Sequence, residues 1–374
     1  MLKLTEYEQE MLDGKFGRYK QVAMEHIVEF ANVMGAEELV EISKVHICAP
    51  VAPLEYGQSD DFDESFRRTY LWTKEPLKFE GYSHDVYVQT DGGAVDQYDP
   101  KPMYLPESLY EKNHAWERIF AQGGVSIVGS CTPYLNGWLP MRGETFMTTE
   151  SSNVLFSNSV FGASGNANGT AACAWAAITG RGPKCGMHIP ENRLATVEVK
   201  VECRCETPRD WDIMGYTLGR KIIQHNNAVP VVTGSFRKPD IIRLKRMFSA
   251  IATTSGLEMC HIEGVTPEAP SKDIALGGKK DYPVIHITQE DYDASEAMLC
   301  DEGCGPVQLI SVGCPHYSLE EIRNAADYIR GKTVHEGVRL IFWTSSSIRE
   351  AARLSGYLEA IEQAGAHIGT NGCP

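Results

Sequence analysis

The sequence predicts an α/β protein in which mostly parallel sheets are flanked by helices. Strand-like and helix-like stretches alternate from about residue 125 onward. Several short apolar runs end in glycine or another small residue before a helical pattern begins. At 43% hydrophobic and 23% charged, the chain also has the composition of an ordinary core-forming protein, so disorder, collagen and coiled coil drop out.

The elements follow in order. Leu12, Val22, Met24, Ile27, Val28 and Ala31 recur at helical spacing, so residues 5–35 read as helix around an interruption at Gly14 and Gly17. From Pro50 to Pro106 the chain mixes aromatics, the acidic run DDFDE (60–64) and the turn Asp91-Gly92-Gly93 without a sustained period, which predicts a loop-rich or short-strand excursion. An amphipathic helix over 107–121 leads into Gly123-Gly124 and the run VSIV, which ends at Cys131. NVLFSNSV (153–160) reads as strand, TAACAWAAITG (170–180) as helix and the alternating ATVEVKVEC (195–203) as strand. Asp210 to Asn226 is helical in pattern, VPVVTG (229–234) is strand-like, and KPDIIRLKRMFSAIATTSG is a helix ending near Gly256. Short β-like runs at 257–263 and 283–288 complete the series. In such sheets ligands gather at the C-terminal ends of strands.

The 374 residues amount to two or more domains at roughly 150 residues each. Lys and Arg number 35 against 50 Asp and Glu, a net charge of −15, which disfavours a nucleic acid or other polyanion as partner while leaving room for a local anion pocket. No apolar run approaches the roughly 18–20 residues of a spanning helix. The N-terminal MLKLTEYEQEMLDGK is charged where a signal peptide is apolar, so the expectation is a cytoplasmic protein with no membrane segment.

Eleven cysteines, at 48, 131, 173, 185, 203, 205, 260, 300, 304, 314 and 373, are many for a reducing compartment. A disulfide framework suits neither the size nor that location, which leaves buried thiols or metal ligation. Three segments share one form: VSIVGSCTP (125–133), VQLISVGCP (307–315) and AHIGTNGCP (366–374) each run from an apolar strand through small residues to Cys131, Cys314 or Cys373, with a proline one or two places on. Each puts a thiol on a tight turn past a strand end. Two readings stand on that pattern: ligation of an iron–sulfur cluster, where proline after a ligand cysteine is familiar, or small apolar residues packed at strand ends. Cys203 and Cys205 alternate on a predicted strand and share a face, which fits a metal but more readily buried packing, and Cys300 with Cys304 reads as structural, since it lacks a second pair at zinc-site spacing.

The runs CTPYLNGWLPMRGE (131–144), TTESSNVLFSNSVFGA (148–163) and AAITGRGPKCGMHIPENR (176–193), then VGCPHYSLEEI (312–322) and the terminal Asn371-Gly372-Cys373-Pro374, resemble in order the large subunit of the aconitase X family. The resemblance implies an aconitase-like assembly of several lobes and a hydro-lyase with an iron–sulfur cluster of unspecified nuclearity. It assigns ligation to Cys131, Cys314 and Cys373, the trio that the turns single out. It also implies a small companion subunit, or fused domain, whose serine-rich loop completes the site; no copy of that loop is evident here, so a separately encoded small subunit is the expected partner. The motifs divide the chain into 1–206, with CTPY and ESS, and 207–374, with GCPH and the terminal Cys-Pro. Relatives usually run some tens of residues past the position of Cys373, and they carry an arginine in the loop that is FGASGNANGT (161–170) here.

That loop is read as strand, glycine-rich turn and helix N-terminus, a place for a carboxylate or phosphate or else a simple turn with an N-cap. Its polar residues Ser164, Asn166 and Asn168, with Asn158 and Ser159 just before it, are candidates for substrate binding, with Arg142 as a carboxylate partner. Glu150, Ser151 and Ser152 are candidate catalytic residues by the same resemblance. His46, in KVHIC, is a fourth, with a packed histidine as its plainer reading; His316 is expected to orient the GCPH turn or cap the following helix. The implied substrates are small hydroxy acids, cis-3-hydroxy-L-proline first, because a neutral loop without arginine suits a small amino acid, and mevalonate 5-phosphate second. A cluster-binding sensor on the same scaffold, without activity, is the competing class.

Overall fold

The alternation of apolar runs and helical patterns resolves into parallel strands joined by helices in the computed structural model, which describes residues 2–48, 59–91, 93, 95–99, 106–301, 303 and 305–372. The chain divides into two units, Met1–Trp138 with Asn168–Lys184 and Gly305–Pro374, and Leu139–Ala167 with Cys185–Cys304. Each unit is assembled from more than one stretch of the chain.

In the first unit, helices Glu6–Leu12 and Arg18–Val33 flank the glycine interruption as expected, and Thr5 and Glu8 close a reciprocal cap on the first of them. Strands Lys44–Ile47, Tyr87–Thr90 and Val125–Ser126 pair in parallel with Tyr87–Thr90 in the centre. Val45, Ile47, Val88 and Val125 are buried, and Trp138 donates its indole N–H to the Val45 carbonyl at 3.2 Å. Among the described residues of the excursion there is a helix that its irregular period did not imply. Asp61 caps a helix, Phe62–Thr69, whose Phe62 and Phe66 pack with Phe79, Trp116 and Phe120 at ring separations of 4.7–6.0 Å. Phe62, Phe66 and Phe79 therefore belong to an aromatic cluster, while Trp72, Tyr87 and Tyr98 of the same stretch are exposed.

A second parallel sheet in this unit orders Leu309–Val312, Arg339–Thr344 and His367–Thr370, with Arg339–Thr344 central. Helices Leu319–Ile329, Ser346–Leu354 and Tyr357–Gln363 bury Ile322, Ala326, Ile348, Ala352 and Ile361 against Phe342 and Ile368.

The second unit is built on four parallel strands in the order His261–Ile262, Pro230–Gly234, Val197–Val201 and Val284–Ile287. Thr145–Thr148 pairs in parallel with Ser164–Ala167. The segment NVLFSNSV corrects the sequence reading: Ser151–Phe156 is α-helix, Ser157–Phe161 is a π-helical turn, and the strand is the polar Ser164–Ala167. Residues 152–159 are all buried, so the run carries no face pattern from which its period could be read. Cys203 and Cys205 lie beyond the end of strand Val197–Val201 rather than on it. Among the described residues no helix is long and apolar enough to cross a membrane.

Candidate active site at the cysteine turns

Six parallel strands of the first unit end in polar or thiol residues. Cys48 follows Ile47, Asp91 follows Thr90, and the turn to Cys131 follows Ser126; Gly313 and Cys314 follow Val312, Ser345 follows Thr344, and Asn371 follows Thr370. This is the edge at which parallel α/β sheets place their ligands.

The Cys131 turn is shaped by its neighbours. Thr90 Oγ1 accepts the N–H groups of Val128 and Gly129 at 3.0 and 3.1 Å. Gly129 has φ +61° and a Cβ there would lie 2.0 Å from Asn371 Oδ1, so the close approach requires glycine. His46 is fully buried, packs against Trp138 and donates from Nε2 to the Ser130 carbonyl at 2.9 Å. Burial lowers its pKa to about 3, so the ring is neutral. This geometry makes His46 a support for the residue before Cys131.

On the second turn Gly313, at φ +125°, passes 2.6 Å from the Trp343 carbonyl as measured to the Cβ it lacks, and the Cys314–Pro315 peptide is cis. His316 then reaches both neighbouring turns. Its backbone N–H donates to Cys131 Sγ at 3.4 Å, Nδ1 lies 3.2 Å from Ser130 Oγ, and Nε2 lies 2.8 Å from the Gly372 carbonyl. Ser318, not His316, caps the following helix. Cys373 lies outside the described residues, but the residue before it is held by the histidine that follows the Cys314–Pro315 pair.

Exposure separates the cysteines chemically. Cys173, Cys185, Cys205 and Cys260 are buried, and burial raises the pKa of each. Cys203 is pushed up to about 11 for the same reason. Cys131 and Cys48 are half-buried and Cys314 and Cys300 exposed; of these Cys131 accepts an N–H bond of the kind that stabilises a ligating thiolate. Among the described residues no three His, Cys, Asp or Glu side chains are grouped to hold a metal ion.

Several residues around these turns escaped the sequence reading. Ser130 and Thr90 carry the turns, Cys48 donates to Asp91 at 3.6 Å, and Asn136 Oδ1 accepts the hydroxyls of Ser345 and Ser347 at 2.6 and 2.5 Å. The signal that finds them is a polar residue at the C-terminal end of a predicted parallel strand.

In the second unit Glu150 is the N-cap of helix Ser151–Phe156, accepting the Ser152 N–H at 3.0 Å and the Ser152 hydroxyl at 2.9 Å. Burial raises its pKa even though those bonds favour the charged form. Ser151 is exposed and Ser152 buried. Three of the candidate substrate binders hydrogen-bond to backbone groups of the protein. Asn158, fully buried, donates to the Gly165 and Glu258 carbonyls, both at 2.8 Å, and accepts the Gly165 N–H at 2.9 Å. Asn166 donates to the Cys185 carbonyl at 3.0 Å and accepts the Met187 N–H at 2.7 Å, and Ser159 accepts the Cys260 N–H at 3.0 Å. Ser164 is half-buried on its strand and Arg142 is exposed. The Ala167 N–H in this loop is taken by the Glu258 carboxyl at 2.7 Å, whose pKa burial raises. Asn168 belongs to the first unit, before helix Thr170–Thr179, and its buried Oδ1 has no hydrogen-bond partner among the described residues.

Comparison with known proteins bears on the chain as a whole. Family models for the aconitase X first, second and third domains cover residues 1–191, 195–297 and 307–374. The phosphomevalonate dehydratase large subunits of Thermococcus kodakarensis and Methanothermobacter thermautotrophicus are 30% and 32% identical, over 99% of this chain and 88% and 87% of their own. The cis-3-hydroxy-L-proline dehydratase of Pseudomonas aeruginosa is 29% identical over 99% of this chain and 62% of its own. The crystal structure of Thermococcus kodakaraensis aconitase X in its holo-form matches with a TM-score of 0.82 at 26% identity, over all of this chain and 89% of that one. The parallel α/β scaffold and its relatives define a carbon–oxygen lyase of the hydro-lyase class. The chain belongs to the aconitase X family.

Proposed function

We propose that the chain is the large subunit of a dehydratase that removes water from a small hydroxy acid, with Cys131, Cys314 and Cys373 holding an iron–sulfur cluster. The observation that carries this reading is the junction at His316, where a peptide N–H meets Cys131 Sγ and the ring holds Gly372, so turns far apart in sequence converge. The donor set suits the group: Cys131 and Cys314 are accessible sulfurs, whereas the buried thiols resist ionisation. A cluster at these thiols supplies a Lewis-acidic iron to polarise a leaving hydroxyl. The chain's own part is to fix the turns and to handle the proton. Glu150 is the proposed base for the proton on the carbon next to the leaving hydroxyl: burial raises its pKa, so its carboxylate binds a proton more readily than a free glutamate's, and Ser152 orients it.

Among substrates cis-3-hydroxy-L-proline ranks first. The 161–170 loop lacks the relatives' arginine, and its Ala167 N–H is already paired with the carboxyl of Glu258, which suits an ammonium-bearing substrate better than a phosphate. Mevalonate 5-phosphate is the second reading, favoured by the match to most of the length of two phosphomevalonate dehydratase large subunits. A separately encoded small subunit is the proposed partner. Anaerobically reconstituted chain, combined with that subunit, is to be given each compound and followed for loss of water by mass spectrometry. Turnover of mevalonate 5-phosphate alone reverses the ranking; turnover of neither, with no visible absorbance from a cluster, removes the proposal.

A further inference from the structure

The Gly372 carbonyl can only accept, so Nε2 of His316 carries a proton and donates to it. On the other side of the ring Nδ1 lies 3.2 Å from the Ser130 hydroxyl, which also accepts the Thr132 N–H at 3.2 Å. The His316 N–H meanwhile points at Cys131 Sγ. One side chain, 1% exposed, thus joins the turn of Cys131 to the residue before Cys373, from a position two residues after Cys314.

The far side of the Gly372 turn is held as firmly. Asn371 has φ +59°, an uncommon conformation for a residue other than glycine. Its amide donates to the Val95 carbonyl at 2.9 Å and to Glu117 Oε1 at 3.1 Å, and its own carbonyl accepts the Gly93 N–H. All of these bonds are between groups of the chain itself. We propose that His316 is a positioning residue which, with Ser130 and Asn371, assembles the thiol-bearing turns in the metal-free chain, so that the site precedes its cluster. The inference rests on the cluster reading for its purpose but not for its geometry.

The test uses the full chain, metal-free and then supplied anaerobically with ferrous iron and sulfide. Two quantities are read: deuterium exchange over 128–132 and 316, and iron and acid-labile sulfide bound per chain as free iron is varied. His316→Ala is expected to lose the exchange protection and to hold iron about 10-fold or more weakly, the usual effect of removing a group that orients metal ligands. His316→Gln, which keeps an N–H near the Nε2 position, should recover part of both. If His316→Ala does not fold, Asn371→Gly gives the same readouts, because glycine tolerates the backbone angle while deleting the amide. Wild-type protection and iron retention in these variants overturn the proposal. Failure of the wild-type chain to take up iron removes the cluster reading instead, and the exchange data alone then decide whether His316 assembles the turns.

Discussion

His46 shows how one buried ring sets a pH dependence. Its pKa is about 3 in the folded chain against an ordinary value near 6.5. The unfolded chain takes up this proton as pH falls through about 6.5, whereas the folded chain resists until about 3. The contribution of the neutral ring to stability is therefore complete above that upper value and is lost progressively as pH falls through the window. Urea unfolding midpoints should decline across it for the wild type and less steeply for His46→Gln, whose amide has no such titration. Parallel curves for the two proteins would show that another group takes up the proton. Asn158 offers a second test at this scale. Its amide satisfies the Gly165 N–H and two carbonyls without contact with water, so Asn158→Ala should lower stability by roughly 1–3 kcal/mol in denaturant titrations. A neutral result would show that the segment relaxes around the loss.

At the scale of elements, Glu150 joins two jobs in one position, capping helix Ser151–Phe156 and holding a raised pKa. Glutamine keeps an acceptor for the Ser152 N–H and removes the titration. Glu150→Gln should leave thermal unfolding near that of the wild type and reduce kcat by about 10²–10⁴-fold if the carboxyl moves the proton; Glu150→Ala should also lose about 1 kcal/mol with the cap. Equal kcat in Glu150→Gln and wild type would confine the residue to capping. The same helix marks where the sequence was hardest to read. The runs before Cys131, Cys314 and Cys373 were legible because the strands alternate with clear helices and stop at glycine and small residues, as in VQLISVGCP. NVLFSNSV was not, because a short segment buried on every side has no periodicity to separate strand from helix, and the paired strand is the polar SGNA that follows. Asn158, Ser159 and Asn166 are candidates for substrate binding from their place at a glycine-rich loop, while their side chains are used on backbone groups of Gly165, Glu258, Cys260, Cys185 and Met187. Sequence cannot show which polar side chains a fold will occupy internally.

For the whole molecule, the issue is what the proposed cluster is needed for. In a small zinc domain the metal supplies the folding free energy and its removal unfolds the chain. Here each unit has an apolar core of its own, Ile322, Ala326, Ile361 and Ile368 among the residues of one, Ala195, Val231, Ala269 and Leu276 among those of the other. The cysteine turns are closed by protein hydrogen bonds at Thr90, His316 and Asn371. Chelation of iron under anaerobic conditions should therefore abolish turnover by the complex and bleach its visible absorbance while the far-ultraviolet circular dichroism stays unchanged. Readdition of iron and sulfide should restore both without a refolding step. The large subunit alone should regain the absorbance but not the turnover, because the serine-rich loop expected on the small subunit is missing. Loss of secondary structure on chelation would mean that the metal holds the fold together, and full turnover by the large subunit alone would mean that its own residues complete the site.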